Sequence, residues 1–271
     1  MKKVSIILTT KNEQANICRC LNAVTSQTFK ALEIIVVDNA STDQTKELAS
    51  RYTDKVFDKG PERSAQRNFG VEQSTGDYVL YVDADMALEP TVVAQCVDAL
   101  SENPLLAGLY IPERIVGQGF WIKVRTFERS FYDGTVIDAV RFVPRQLFIA
   151  VGGFDSSLFG GEDWDFDKRI RQHGPVARIS AALSHNEGAF NVAHYLAKKT
   201  YYSRSLDAYA AKWGRDDPDV KRQLGAGYRF IGVFLERGKF LRLLAHPWLT
   251  LAMYYLRFRV GLRYLARQRR S

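Results

Sequence analysis

The sequence predicts an α/β fold: a mostly parallel sheet between layers of helices, followed by a helical C-terminal extension. Three observations carry this reading. Short apolar runs at residues 4–8, 33–37 and 78–82 alternate with helix-like segments, and such near-continuous runs fit strands covered on both faces. Two of the runs end in carboxylates, Asp38 and the pair Asp83-Ala84-Asp85, where open α/β sheets form their ligand crevice. A third acidic station, Glu162-Asp163-Trp164, follows a glycine-rich stretch and can supply a separate carboxylate.

In chain order, residues 4–9 read as the first strand. Lys2 and Lys3 ahead of it imitate a signal peptide, but the run is too short, and Lys11-Asn12-Glu13 interrupts it without a cleavage site. Residues 13–26 read as a helix with Leu21 and Val24 on its apolar face. Residues 33–37 form the next strand, and Ser41-Thr42-Asp43 signals the cap of a helix reaching residue 50. A short strand at 55–57, a helix at 63–73 and a turn at Ser74-Thr75-Gly76-Asp77 lead into the strand at 78–82. Pro90 opens a helix to residue 102. Further on, 120–132 reads as helix, 137–143 as a strand at a sheet edge, and 144–151 and 164–172 as short helices. Residues 189–213 read as a long helix, then 220–236 and 239–267, with Pro247 kinking or restarting the last. The domain division expected is one domain at 1–215, in two halves at 1–110 and 111–215, and a basic tail at 216–271.

With 46% hydrophobic residues among 271, the chain can build a full core without staples. Three cysteines, Cys18, Cys20 and Cys96, form no zinc motif and read as free thiols in a reducing compartment. The net charge of +8 is concentrated at one end: residues 221–271 hold twelve basic side chains and a single acid, Glu236. A basic tail on a slightly acidic body points to an anionic surface, membrane or nucleic acid. Residues 241–256 are too short and interrupted to span a bilayer. Arginines 257, 259, 263, 267, 269 and 270, mixed with Phe258, Val260, Leu262, Tyr264 and Leu265, suit an interfacial helix on anionic lipid. The same helices also offer a packing or oligomer contact.

The acidic stations carry the chemistry. Asp38 can accept a hydrogen bond from a base or ribose, although Asp38-Asn39-Ala40-Ser41 is also ordinary turn chemistry. Asp83 and Asp85, spaced i, i+2 on an extended segment, can face one cleft and hold Mg²⁺ or Mn²⁺ against a diphosphate; an exposed acidic turn is the plain alternative. Asp163 is the candidate base for an attacking hydroxyl, set against an ordinary acidic helix start, with Glu162 next in line. Arg63 and Arg67 can reach the nucleotide or its phosphates, or simply line a solvated helix face. His185 is a candidate third metal ligand or a structural histidine.

Taken together these residues resemble glycosyltransferase family 2, with the GT-A fold. The matching elements are residues 4–13, Ile35-Val36-Val37-Asp38-Asn39-Ala40-Ser41-Thr42-Asp43, Ala65-Gln66-Arg67-Asn68-Phe69-Gly70, the stretch 76–85, Gly152-Gly153-Phe154-Asp155 and Gly161-Glu162-Asp163-Trp164. The resemblance covers residues 1 to about 190. It implies a sugar nucleotide held around Thr9 and Glu13, with Asp38 at the base. Asp83 and Asp85 become the D-x-D element, Asp85 the closer metal ligand, and Asp163 the base of inverting members. Glu162 and Trp164 are assigned to substrate binding beside it. Lys11 departs from the aromatic residue that many members carry there.

The implied function is metal-dependent, inverting hexosyl transfer from a nucleotide diphosphate sugar, UDP-sugar favoured, to a lipid-linked or membrane-proximal glycan in polysaccharide or glycolipid synthesis. The protein is expected in the cytoplasm, peripheral on the inner membrane face. A nucleotidyltransferase would show a glycine-rich phosphate loop, and Thr9-Thr10-Lys11-Asn12-Glu13 has no glycine. A non-enzymatic nucleic-acid binder would leave three acidic stations unexplained, so no nucleic-acid partner is expected.

Overall fold

The computed structural model describes residues 2–268. Arg269 and Arg270 of the basic tail lie outside the described residues, as does the side chain of Arg267. The chain forms two compact units interleaved in sequence: Met1–Glu113 with Ala139–Asn186, and Arg114–Asp138 with Glu187–Ser271. The expected boundary near residue 215 is therefore replaced by three crossings. The 114–138 segment groups with the C-terminal helices because its apolar face packs among them.

The first unit runs β1 (Val4–Thr10), α1 (Ile17–Thr25), β2 (Leu32–Asp38), α2 (Thr45–Ala49), β3 (Val56–Asp58), α3 (Arg63–Glu72), β4 (Tyr78–Asp83), β5 (Met86–Leu88), α4 (Val92–Glu102) and β6 (Gly108–Tyr110). The crossing strand β7 (Glu113–Gln118) and α5 (Phe120–Arg129) intervene. The unit then resumes with β8 (Phe142–Pro144), α6 (Arg145–Ala150), α7 (Glu162–Arg171), β9 (Val176–Arg178) and the start of β10 (Leu183–Ala189). A seven-stranded sheet has the order β3-β2-β1-β4-β8-β6-β9. Strands β1 to β4 run parallel to one another, and β8 turns antiparallel to β4 and β6. Alternate residues of the central strands serve two cores. Ile6, Leu8, Val36, Leu80 and Val82 pack with α1 and α4, while Ile7, Ile35, Val37, Val79 and Tyr81 pack with Phe148, Phe154 and Phe166. Burial on both faces is what the unbroken apolar runs require.

The strand expected at an edge lies in the interior instead. Only residues 142–144 of it pair, between β4 and β6. Strands β6 and β9, three residues each, cover its outer side and are too short to leave a periodic signal. Helix α1 starts at Ile17 rather than residue 13, because 13–16 form a turn closed by Asn16 N–H to the Glu13 carbonyl at 2.9 Å. Helix α2 starts at Thr45, since the expected cap, Ser41, turns back onto Asp38.

The second unit holds α5, α8 (Val192–Trp213), α9 (Pro218–Leu224), a π-helical turn (Tyr228–Gly232), α10 (Val233–Leu235), a 3₁₀ turn (Glu236–Gly238), α11 (Phe240–Ala245) and α12 (Pro247–Gln268). The helix expected over 220–236 breaks after Leu224, at the extended Gly225, whereas Pro247 restarts the last helix as its chemistry dictates. Val124, Phe127 and Phe131 pack with Phe234, Met253 and Leu256. Arg257, counted in the sequence as a lipid-facing cation, is instead buried and bonds Glu128 at 2.7 Å and the Tyr132 hydroxyl at 2.6 Å. No described helix is long and apolar enough to cross a membrane.

One buried carboxylate ties the start of β2 to its neighbours. Glu33 accepts from Lys55 at 2.7 Å, from the Thr75 N–H at 2.8 Å, from the Thr75 hydroxyl at 2.9 Å and from the Ser5 hydroxyl. Burial pushes its pKa up, but the bonds to Lys55, Ser5 and Thr75 outweigh it and hold it at about 2. The folded value lies below the unfolded one, so this carboxylate stabilises the fold above the ordinary glutamate range. That contribution is lost as pH falls through about 2. Glu33→Gln is expected to lower stability at neutral pH by about 1–3 kcal/mol. Urea unfolding should show the gap to wild type closing as pH drops below 4.5; a pH-independent gap would contradict it.

Candidate active site

Pairing register assembles the site at the carboxyl ends of the parallel strands. Thr9 lies opposite both Val37 and Asp83, and Thr10 lies opposite Asp38. Strand β1 is flanked by β2 and β4, so this is the point where strand order reverses and a crevice opens.

Asp83, the last residue of β4, accepts the Thr9 hydroxyl at 2.8 Å and Arg67 Nη2 at 3.2 Å on Oδ1, and Arg63 Nη1 at 3.4 Å on Oδ2. Arg67 Nη1 continues to Asp163 Oδ1 at 2.7 Å, and Arg63 Nη2 to Glu162 Oε1 at 3.0 Å. Two arginines one helical turn apart on α3 thus join the end of β4 to the first turn of α7. Arg67 is no solvated face residue. It is 1% exposed, with its guanidinium over the rings of Tyr81 at 4.7 Å and Phe154 at 5.0 Å. Its position follows from Gly70, three residues on, where a β-carbon would stand 2.3 Å from Ile7. The missing side chain lets α3 lie close on the sheet and carries Arg67, on the same helix face, inward.

The charges follow from this packing. Burial alone would raise the Asp83 carboxyl, but Arg67, Arg63 and Arg141 hold it well below the usual range. Burial and the neighbouring Asp163 raise Glu162, against Arg63 and Arg67. Asp163 sits in the first turn of α7, after Gly161 in the left-handed conformation at φ 84°. Its side chain remains 36% exposed while Arg67 holds one oxygen. Trp164 is half-buried beside it.

Asp85 turns to different company. Its Oδ2 accepts from His185 Nε2 at 3.0 Å, and His185 Nδ1 meets Glu113 Oε1 at 2.9 Å. Glu113 in turn takes Arg141 at 3.0 Å. Burial lowers the His185 pKa, but hydrogen bonds to Asp85 and Glu113 outweigh it and raise it to about 10, so the ring carries a proton. Asp85 Oδ1 is buried without a hydrogen-bond partner. An orphaned carboxylate oxygen next to an imidazole is a donor set that suits a divalent ion once the ring gives up its proton. Of the three expected ligands, Asp85 and His185 are together, while Asp83 is taken by the arginines. Among the described residues no three acidic, histidine or cysteine side chains form a ready-made ion cage, so the remaining positions would fall to phosphate and water.

The loops after β1 and β2 are tied to each other. Asn12 N–H donates to the Ser41 hydroxyl at 2.7 Å, and the Asn12 carbonyl oxygen Oδ1 accepts Thr42 N–H at 2.8 Å. Glu13 N–H donates to the Thr45 hydroxyl at 2.8 Å, and its carboxylate accepts from Asn16 at 2.7 Å. Asp38 is fully buried, with its two oxygens on Ser41 N–H at 2.6 Å and the Ser41 hydroxyl at 2.5 Å; here it organises the turn. Three non-glycine residues adopt positive φ on loops around this crevice: Asn12 at 53°, Ala40 at 50° and Glu62 at 69°. Such strain costs about 1 kcal/mol or more each and collects at functional sites. The sequence reading missed Arg141, Glu113 and the unpartnered Thr10 hydroxyl. Gly70 was the cue that Arg67 points inward.

A mostly parallel sheet with acidic strand ends at its switch point defines an α/β protein with a ligand crevice there. Residues 5–154 match the model of glycosyl transferase family 2, and the chain belongs to that family, with the GT-A fold. It is 42% identical over 189 residues to the glycosyltransferase AglE of Haloferax volcanii, an alignment covering 63% of this chain and 62% of that one. The chain thus spans about three fifths of that relative's length. Among solved structures it resembles a mannosyltransferase from Pyrobaculum calidifontis in complex with GDP-Man and Mn²⁺, at a TM-score of 0.65 and 19% identity over 97% of this chain and 87% of that one. It also resembles S. aureus TarS 1-349 in complex with UDP-GlcNAc, at 0.58 and 18%, over 97% and 89%.

Removing the shared cation should leave two carboxylates without their common partner. Arg67→Met is expected to cost roughly 3–5 kcal/mol in urea unfolding. Arg67→Lys should recover only part of this, because one ammonium does not reproduce the planar fork. A methionine variant as stable as wild type would remove Arg67 as the organiser of the site.

Proposed function

We propose that the protein is a metal-dependent, inverting glycosyltransferase that moves a hexosyl group from a nucleotide diphosphate sugar to an acceptor hydroxyl. The observation that carries this is Asp163: one oxygen is fixed by Arg67 while the side chain stays 36% exposed at the end of the parallel strands. A carboxylate held in orientation and open to solvent suits a base that removes the acceptor's proton. Attack at the anomeric carbon from that side inverts its configuration. Arg67 keeps Asp163 oriented, and the Thr9–Asp83 pair anchors the strand ends beneath. A divalent ion, Mn²⁺ or Mg²⁺, held by Asp85 and His185 would offset charge on the departing nucleotide diphosphate. Thr9, Glu13, Asp38, Arg63 and Trp164 surround the donor in this reading, with a uridine nucleotide favoured. Nucleotide sugars in the solved neighbours, UDP-GlcNAc and GDP-Man, support the donor class. The acceptor proposed is a lipid-linked or membrane-proximal glycan in polysaccharide or glycolipid synthesis, with the protein on the cytoplasmic face of the membrane.

A screen of sugar nucleotides for slow, Mn²⁺-dependent donor hydrolysis identifies the donor. Asp163→Asn is expected to lower transfer by a factor on the order of 10² to 10⁴ with donor binding nearly intact; normal transfer, or a product that keeps the donor's configuration, overturns the assignment. Asp85→Ala should abolish turnover and weaken metal-dependent nucleotide binding, and full activity in EDTA would exclude the ion's role.

A further inference from the structure

Helix α12 packs one side into the second unit, where Met253, Leu256 and Arg257 are buried. Its other side carries an exposed apolar stripe: Trp248, Leu251, Tyr255, Phe258, Leu262 and Leu265. The spacing is three and four residues in strict alternation, which keeps them on one face. Leu241 and Leu244 on α11, before the break at His246, are exposed as well. These are large side chains left in water, with Trp248 77% and Leu244 73% exposed. Tyr255 alone of the six leans a ring on a neighbour, Trp121, at 6.0 Å between centroids. An apolar surface this continuous marks an interaction site rather than scattered surface leucines.

Charge selects the occupant. From Arg237 to the end of the chain there is no aspartate or glutamate. Arg259 and Arg263 border one flank of the stripe; Arg259 bonds the Tyr255 hydroxyl at 2.6 Å and so stands at the stripe's margin. A second copy of this helix would bring the same cations to the seam with no acid to meet them. An anionic lipid surface offers phosphates to the arginines and acyl chains to the stripe, with tryptophan and tyrosine at headgroup depth. The helix is too polar to cross a bilayer.

We propose that the exposed face of α11 and α12 is a docking surface for an anionic membrane, lying in the plane of the interface with its 3–4 stripe inserted. This deepens the reading of a membrane-proximal acceptor and rests on it only for its purpose. The test is co-sedimentation of the full chain with vesicles of phosphatidylglycerol in phosphatidylcholine, against pure phosphatidylcholine. Binding to the anionic vesicles, weakened by salt, is expected. The double variant Leu251→Glu, Phe258→Glu should reduce the bound fraction at least about tenfold at unchanged helicity. Arg259→Gln with Arg263→Gln should remove the preference for anionic vesicles. A wild-type chain that stays in the supernatant, or a stripe variant that binds like wild type, overturns the proposal. So does self-association without lipid that the stripe variant abolishes, because a second copy would then cover this face. Donor hydrolysis in vesicle-free solution reports the transferase reading separately.

Discussion

The candidate site depends on the guanidinium of Arg67. A buried arginine is costly to desolvate and persists only where charge and hydrogen bonds compensate it. Here Asp83 and Asp163 supply the charge, while Tyr81 and Phe154 supply aromatic faces. The geometry needs a helix lying close on the sheet, which Gly70 permits. It also needs a strand ending level with that helix, which the β1–β4 register provides. One residue thereby joins the sheet and α3 to α7, which is remote from both in sequence. The catalytic carboxylate proposed is therefore positioned by the core itself and not by a surface loop.

The turn at Ala84-Asp85, between the end of β4 and the start of β5, splits the D-x-D element between two environments. Asp83 faces the arginines, and Asp85 faces His185. The first carboxylate is strongly held as an anion; the second keeps one buried oxygen without a partner. The His185 proton, stabilised between Asp85 and Glu113, balances that side electrostatically. A divalent ion there would replace the single positive charge of the ring with two, facing the carboxylates that already hold that proton.

Much of this frame was legible in the sequence. Unbroken apolar runs announced the central strands, and carboxylates at their ends announced where the crevice lies. Pro247 announced the restart of the last helix. What stayed hidden was set by tertiary pairing. Strands β6 and β9 are three residues each, too short for any period, so the interior position of β8 had no local sign. The bonds that Asp38 makes to Ser41 were hidden, because Ser41 reads in the sequence as a helix cap. Arg257 looked solvent-facing because its counter-ion, Glu128, lies on α5, remote in sequence. Charged residues announce their type in sequence, but only the fold reveals which partner neutralises them.

The interleaving of the two units also orders events during synthesis. The sheet of the first unit lacks β8, β9 and their covering helices until the ribosome has passed residue 186. By then 114–138 has already emerged, with Val124, Phe127 and Phe131 waiting for partners on α10 and α12. Chains generally fold domain by domain from the amino terminus, but here neither unit is a continuous amino-terminal block. The nascent chain must carry an unsatisfied apolar helix from the emergence of α5 until α10 and α12 are made. A premature stop before α12 would leave that helix exposed for good, which makes truncated products natural clients for chaperones and proteases.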